Sequence, residues 1–283
     1  MIVVAGHALR EALRRRVFVV VLALSLGFLA LYALGVDQVF KDVESFAGGA
    51  DLLNVDAKTV TGSTMVGLGM FAVLFLGVVL AVFLTLGAVR GDAERGLLQP
   101  LIVRPVGRPA YLAGRLLAAA AVSGAYVLAM YLLCVLITGL LGDWWPDAVA
   151  GPGLRLVVAA AVVSALSLLG SVVLSTTANG IAIFMVFGAG LVGGLLGQIG
   201  EGLHAETLSR VARWSSFVLP FEALYQDGLR ELTADVSGPT GAIVELGPFG
   251  GAQDFGLLLW PWALVYLAAV TGGAIALFRS RDL

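Results

Sequence analysis

Residues 65–89 read MVGLGMFAVLFLGVVLAVFLTLGAV, without one Asp, Glu, Lys, Arg or His. About 20 apolar residues in a helix cross the ~30 Å of hydrocarbon in a bilayer, at 1.5 Å per residue. This run is therefore read as a transmembrane helix, and five more like it are found on either side. They cover residues 17–36, 116–141, 156–178, 180–199 and 257–278, and none contains an ionisable acid or base. The fourth and fifth are separated by a short turn near Thr177–Gly180. Together they are too long for one crossing, so a tight helical hairpin is expected.

Composition agrees with one membrane-embedded domain over residues 1–283. The chain is 59% hydrophobic and 13% charged, where a soluble domain has about half and a quarter. The single cysteine, Cys134, lies in an apolar run and reads as a small core residue. Arg14, Arg15 and Arg16 precede the first span. That span is too long for the apolar region of a cleaved leader, so it is expected to stay.

The charges decide the orientation. With the N-terminus in the cytoplasm, the inner segments carry 11 of the basic residues against 4 acids, and the outer segments 6 against 15. Lys and Arg concentrate on cytoplasmic loops, so both ends are expected inside. Trp144 and Trp145 after the third span, and Trp260 and Trp262 at the start of the sixth, mark the outer interface. The matching inner anchors are Arg14, Arg15 and Arg16.

Three segments outside the spans are informative. Ile2, Ala5, Leu9, Ala12 and Leu13 recur at helical spacing, which predicts an interfacial helix over 1–16. The loop 90–115 reads RGDAERGLLQPLIVRPVGRPAYLAGR. Leu97, Leu98, Leu101 and Ile102 would cluster on a short helix there, and exposed leucines call for a partner surface. In the outer segment 200–256, Leu208 to Leu219 predicts one short helix, Pro220 breaks it, and 221–232 predicts a second. Pro220 and Phe221 are candidates for an outer gate, with a structural cap as the alternative. In the fifth span, Gly190-x-x-x-Gly194 and Gly193-x-x-x-Gly197 permit close helix approach. Whether the approaching surface is internal or a second copy stays open.

The inner loop resembles a known family. Glu94-Arg95-Gly96-Leu97-Leu98, Pro105-Val106-Gly107-Arg108 and Gly114-Arg115 are similar to the E-x-G-T-L, P-x-S-R and G-K pattern of ABC type-2 permeases. Leu97, Gly107 and Arg115 stand where that family has Thr, Ser and Lys. Leu219-Pro220-Phe221-Glu222-Ala223-Leu224-Tyr225 resembles its P-F-x-x-Y stretch, and Phe278-Arg279-Ser280-Arg281-Asp282-Leu283 its F-x-R-R-D-L ending. The likeness spans nearly the whole chain. Within the family it resembles the branch grouped with multi-copper enzyme maturation and drug-efflux permeases.

The resemblance implies an all-α permease of six spans in a prokaryotic plasma membrane. It implies two partners, a separate ATPase and a second permease copy or paralogue. The loop 90–115 would hold the coupling helix that docks on the ATPase. Glu94 would make a charged contact, Gly96 would allow close approach, Leu97, Leu98, Leu101 and Ile102 would fill a groove, and Arg108 would meet either the ATPase or lipid phosphate. The cargo would be exported; the resemblance does not choose the substrate, and the apolar spans themselves suit a hydrophobic or amphipathic one.

The remaining residues support this division of labour. Neither lysine, Lys41 or Lys58, ends a phosphate-binding G-x-x-x-x-G-K-[ST] loop, so ATP is expected on the partner and no cofactor on this chain. There is no G-x-S-x-G or H-E-x-x-H motif, and His7 and His204 fall on opposite sides of the membrane. No nucleic-acid partner is expected. An ion-coupled carrier, which keeps ionisable groups within its spans, and a non-transporting scaffold or sensor are the alternatives.

Overall fold

The computed structural model describes residues 16–50, 56–86, 107–203, 205–232, 236, 238, 240–241 and 256–280. The described residues form eight helices and no strand. They are α1 (Arg16–Ala50), α2 (Ala57–Thr85), α3 (Arg108–Gly142), α4 (Ala150–Val173), α5 (Thr176–Gly202), α6 (Glu206–Val218), α7 (Pro220–Glu231) and α8 (Leu259–Arg279). Six of them, all but α6 and α7, are long and apolar enough to cross a membrane.

Several helices outrun the apolar stretches that announce them. α1 continues past Asp37, and Lys41, one turn on, pairs with it at 2.5 Å. α2 starts ahead of residue 65 because Asp56 caps it. The Asp56 side chain accepts from the Lys58 and Thr59 amides and from Thr59 Oγ1. α3 begins at Arg108 with Pro109 in its first turn, where a missing N–H costs little.

The turn between α4 and α5 lies at Leu174 and Ser175, ahead of the expected Thr177–Gly180. Leu174 is extended, and the Ser175 carbonyl accepts from the Asn179 amide at 2.8 Å. Thr177 to Gly180 are thereby taken into the first turn of α5.

α2, α3 and α4 pack against one another at the centre. α1 lies against α2 and α3, while α5 and α8 lie against α4. Inside a bilayer the lipid is as apolar as leucine, so close packing and interhelical hydrogen bonds hold helices together. Ser25 of α1 meets Tyr126 of α3 at 2.5 Å, and Tyr32 meets Thr138 at 2.7 Å. Thr85 of α2 meets Ser167 of α4 at 2.7 Å. Each such bond is worth about 0.6–2 kcal/mol. The outward faces of α1, α5 and α8 stay apolar, with Leu24, Leu31, Met185 and Leu264 exposed.

The bundle has two distinct ends. At one, Phe40, Asp56, Trp144, Arg155, α6, α7 and Trp260 gather. At the other, Thr85, Tyr111, Val172, Asn179 and Phe278 gather, with the Tyr111 and Phe278 rings 6.4 Å apart. The segments assigned to opposite sides by charge thus sort to opposite ends.

Candidate functional site

α7 is short and polar on paper, yet it is buried nearly all round. Pro220, Phe221, Glu222, Ala223, Leu224, Tyr225, Gln226, Gly228 and Leu229 are all buried. Instead of lying on a surface, it is inserted among the spans. Phe221 stacks on Phe187 of α5 at 5.5 Å, and Tyr225 meets Phe71 of α2 edge-on at 6.4 Å. Gly228 faces Pro152 and Arg155 of α4. α6 lies on α5 with its polar residues Ser215 and Ser216 inward and Val211, Trp214 and Phe217 outward. The pair α6–α7 is therefore a hairpin with one arm on α5 and the other on α4.

The glycines of α5 make this insertion possible. A Cβ on Gly190 would stand 2.5 Å from the Phe221 ring, and one on Gly194 would overlap the Glu222 carboxyl. Gly193 similarly seats Ser215. The glycine face of α5 is filled by this hairpin, an internal partner, at those three positions.

Two groups of charges occupy the hairpin. Arg155 of α4 bonds Asp227 through Nε at 2.6 Å, bonds Glu231 through a terminal nitrogen, and lies 5.5 Å from the Trp260 ring. Asp227 and Glu231 are one turn apart and share a face. Glu222 is the most deeply buried carboxylate or basic side chain among the described residues, at 2% exposed. Ser216 and Gln226 hydrogen-bond its carboxyl, but Oε1 is left without a partner. Burial wins over those bonds and pushes Glu222 up to about 7. At Asp56 the balance is opposite. The Thr59 hydroxyl and the capped amides hold its carboxyl below the usual range.

The residues picked from the sequence fare differently. Glu94, Gly96, Leu97, Leu98, Leu101 and Ile102 lie outside the described residues, as do Arg14, Arg15 and most of the expected N-terminal helix. Arg16 opens α1 and Arg108 opens α3. Trp144 packs over Gly62 of α2, and Trp145 stays exposed. Trp262 stacks on Phe217 at 4.0 Å and donates to its carbonyl at 3.0 Å, tying α8 to α6. Pro220 and Phe221 stand together at the break between α6 and α7. Sequence reasoning misses the grouping of Arg155 with Asp227 and Glu231, and the burial of Glu222. The spacing of Asp227 and Glu231 hints at a shared face, but nothing in the sequence ties it to Arg155.

The arrangement is a helical membrane bundle with a buried hairpin at one end and, at the other, two central helices, α2 and α3, joined by residues 87–106. No curated protein matches the chain. Among known families, the ABC-2 family transporter protein matches residues 2–283. The chain is an integral membrane protein that belongs to the ABC-2 transporter family, as the permease subunit that works with an ABC ATPase.

Proposed function

We propose that this permease exports a hydrophobic or amphipathic substrate, with ATP hydrolysed by its partner subunit. The observation that carries this reading is the close packing of the two helices that flank residues 87–106. α2 ends at Thr85 and α3 begins at Arg108, and these two helices pack together at the centre of the bundle. A partner gripping that segment holds two central helices at once. The charge sorting supports a cytoplasmic location for it, with both chain ends on the same side.

In this reading Glu94, Gly96, Leu97, Leu98, Leu101, Ile102 and Arg108 form the ATPase-docking surface. The α6–α7 hairpin closes the outer end, with the Pro220–Phe221 break as its gate. Two permease copies, or one copy and a paralogue, flank the route. The apolar stretches read from the sequence carry no charge and suit apolar cargo, and among the described residues the charges packed inside the bundle, Arg155, Glu222, Asp227 and Glu231, gather at the hairpin end.

The test is Leu98→Asp together with Glu94→Arg. A charged residue stranded in an apolar contact costs several kcal/mol. Both variants should insert normally but lose ATPase copurification or substrate-stimulated hydrolysis. Wild-type binding and coupling in both would overturn the docking assignment.

A further inference from the structure

The last turn of α2 is joined to two other spans at a single residue. Thr85 Oγ1 donates to Ser167 Oγ of α4 at 2.7 Å. Asn179, in the first turn of α5, donates through Nδ2 to the Ser167 carbonyl at 2.9 Å. Ser167 and Asn179 are fully buried and Thr85 almost so. Three helices therefore meet in hydrogen bonds at Ser167, within two residues of where the described part of α2 gives way to the 87–106 segment.

The chemistry of this contact suits a link that is made and released. Thr85 has one hydroxyl proton and three competing acceptors. One is Ser167 Oγ, and the others are two carbonyls of its own helix, Ala81 at 2.8 Å and Val82 at 3.2 Å. When α2 and α4 part, the Thr85 proton falls back to its own helix, so the Thr85 donor is not orphaned. Asn179 is unsatisfied in the present arrangement. Its Oδ1 has no partner and is held at the position a Gly170 Cβ would occupy. A buried acceptor without a donor is costly, so this packing leaves Asn179 free energy to gain from another arrangement.

The far ends of the same helices hold the hairpin. α4 grips α7 through Arg155, and α5 seats Ser215 of α6 as well as Phe221 and Glu222 of α7 on its glycines. A change in how α4 and α5 meet at Ser167 and Asn179 is thus delivered to both arms of the hairpin. We propose that Thr85, Ser167 and Asn179 form the joint that transmits movement of the ATPase-docking segment to the α4–α5 pair and so to the α6–α7 hairpin. They are positioning residues, and the proposal rests on the docking role of the 90–115 loop.

The experiment uses the purified complex of the full chain with its ATPase, with Cys134→Ala and Ser215→Cys. Ser215 faces Gly193 under the hairpin, so the labelling rate of a thiol there reports hairpin opening. Labelling with a maleimide is timed without nucleotide and after ATP–vanadate trapping. The rate should change at least about tenfold on trapping. Thr85→Val, which keeps the shape and removes the hydroxyl, should abolish the change while ATPase retention and hydrolysis persist. Thr85→Ser should restore it. Ser167→Ala removes the acceptor and should match Thr85→Val, which keeps the test valid if the valine variant misfolds. A trapping response in Thr85→Val and Ser167→Ala as large as in the parent would overturn the joint, as would a parent with no response. Failure of the docking reading is seen separately, in Leu98→Asp retaining a fully coupled ATPase.

Discussion

Arg155 of α4 donates to Asp227 of α7 at 2.6 Å, across 72 residues of sequence, with both side chains largely buried. Glu231 takes a second bond from the same guanidinium, and the Trp260 ring lies 5.5 Å from it. One arginine thus fastens the buried hairpin arm to α4 and α8. Removing one partner of a buried ion pair costs more than the pair gains, about 3–5 kcal/mol, because the other charge is stranded. Arg155→Met should therefore lower the melting temperature markedly and open the segment between α5 and α8 to protease. Asp227→Asn with Glu231→Gln, added to Arg155→Met, should recover much of the loss. If the triple variant melts no higher than Arg155→Met alone, the stranded-charge explanation is wrong.

Glu222 makes stability depend on pH. Its carboxyl is pushed up from 4.5 to about 7 in the packed hairpin, so folding favours the protonated form. The sign follows from linkage. The hairpin's packing is fully supported below about pH 4.5, where the acid is neutral in either state. Support is lost as pH rises towards 7 and is level above that. At about 1.4 kcal/mol per pH unit, the loss reaches a few kcal/mol. Melting temperature measured from pH 5 to pH 8 should fall in the parent. Glu222→Gln should flatten that slope and be the more stable protein at pH 8. An unchanged slope in the glutamine variant would assign the pH dependence elsewhere.

How much of this was legible in the sequence depends on what the bilayer demands. The six spans stood out because hydrocarbon tolerates no charge, so each crossing is a run without one. Their ends were less legible because caps are polar. Asp56 and the threonines after it look like loop but form the first turns of α2. The hairpin's two short helices were visible from Pro220, whereas their burial was not. α7 carries Glu222, Asp227 and Glu231, and polar residues normally mark a surface. What reversed that was Arg155 and the glycines of α5, partners supplied from far along the chain. The glycine spacing announced a close approach and left its partner open. The joint at Ser167 had no sequence signal, since Thr85, Ser167 and Asn179 are ordinary small polar residues in apolar runs.

The glycine face of α5 yields a paired prediction on one helix. An alanine at Gly190 puts a methyl 2.5 Å from the Phe221 ring, which is fully buried and stacked on Phe187. The ring has little room to retreat, and overpacking of this kind costs about 1–3 kcal/mol. A methyl added at Gly188 would meet nothing within 4 Å. There the same change should be neutral or gain up to about 1 kcal/mol from helix propensity. Thermal denaturation in one detergent compares the two. Equal effects at both positions would mean that Phe221 is not seated as described.

Orientation can be read from two exposed residues at opposite ends of the bundle. Asp147 lies in the turn between α3 and α4, at the hairpin end, and Ser280 follows α8 at the other end. Cys134 is buried and is replaced by alanine to leave a silent background. The charge balance, 11 basic to 4 acidic residues on one side and 6 to 15 on the other, predicts that the hairpin end is outside. An impermeant maleimide should then label Asp147→Cys in intact cells and Ser280→Cys only after permeabilisation. The consequence reaches past topology. Ser280 shares its end of the bundle with Thr85 and with the start of α3, so the proposed docking segment belongs to whichever side Ser280 occupies. Labelling of Ser280→Cys in intact cells would put the 87–106 segment outside, beyond any cytoplasmic ATPase. The docking role of Leu98 and the joint at Ser167 would both fall with it.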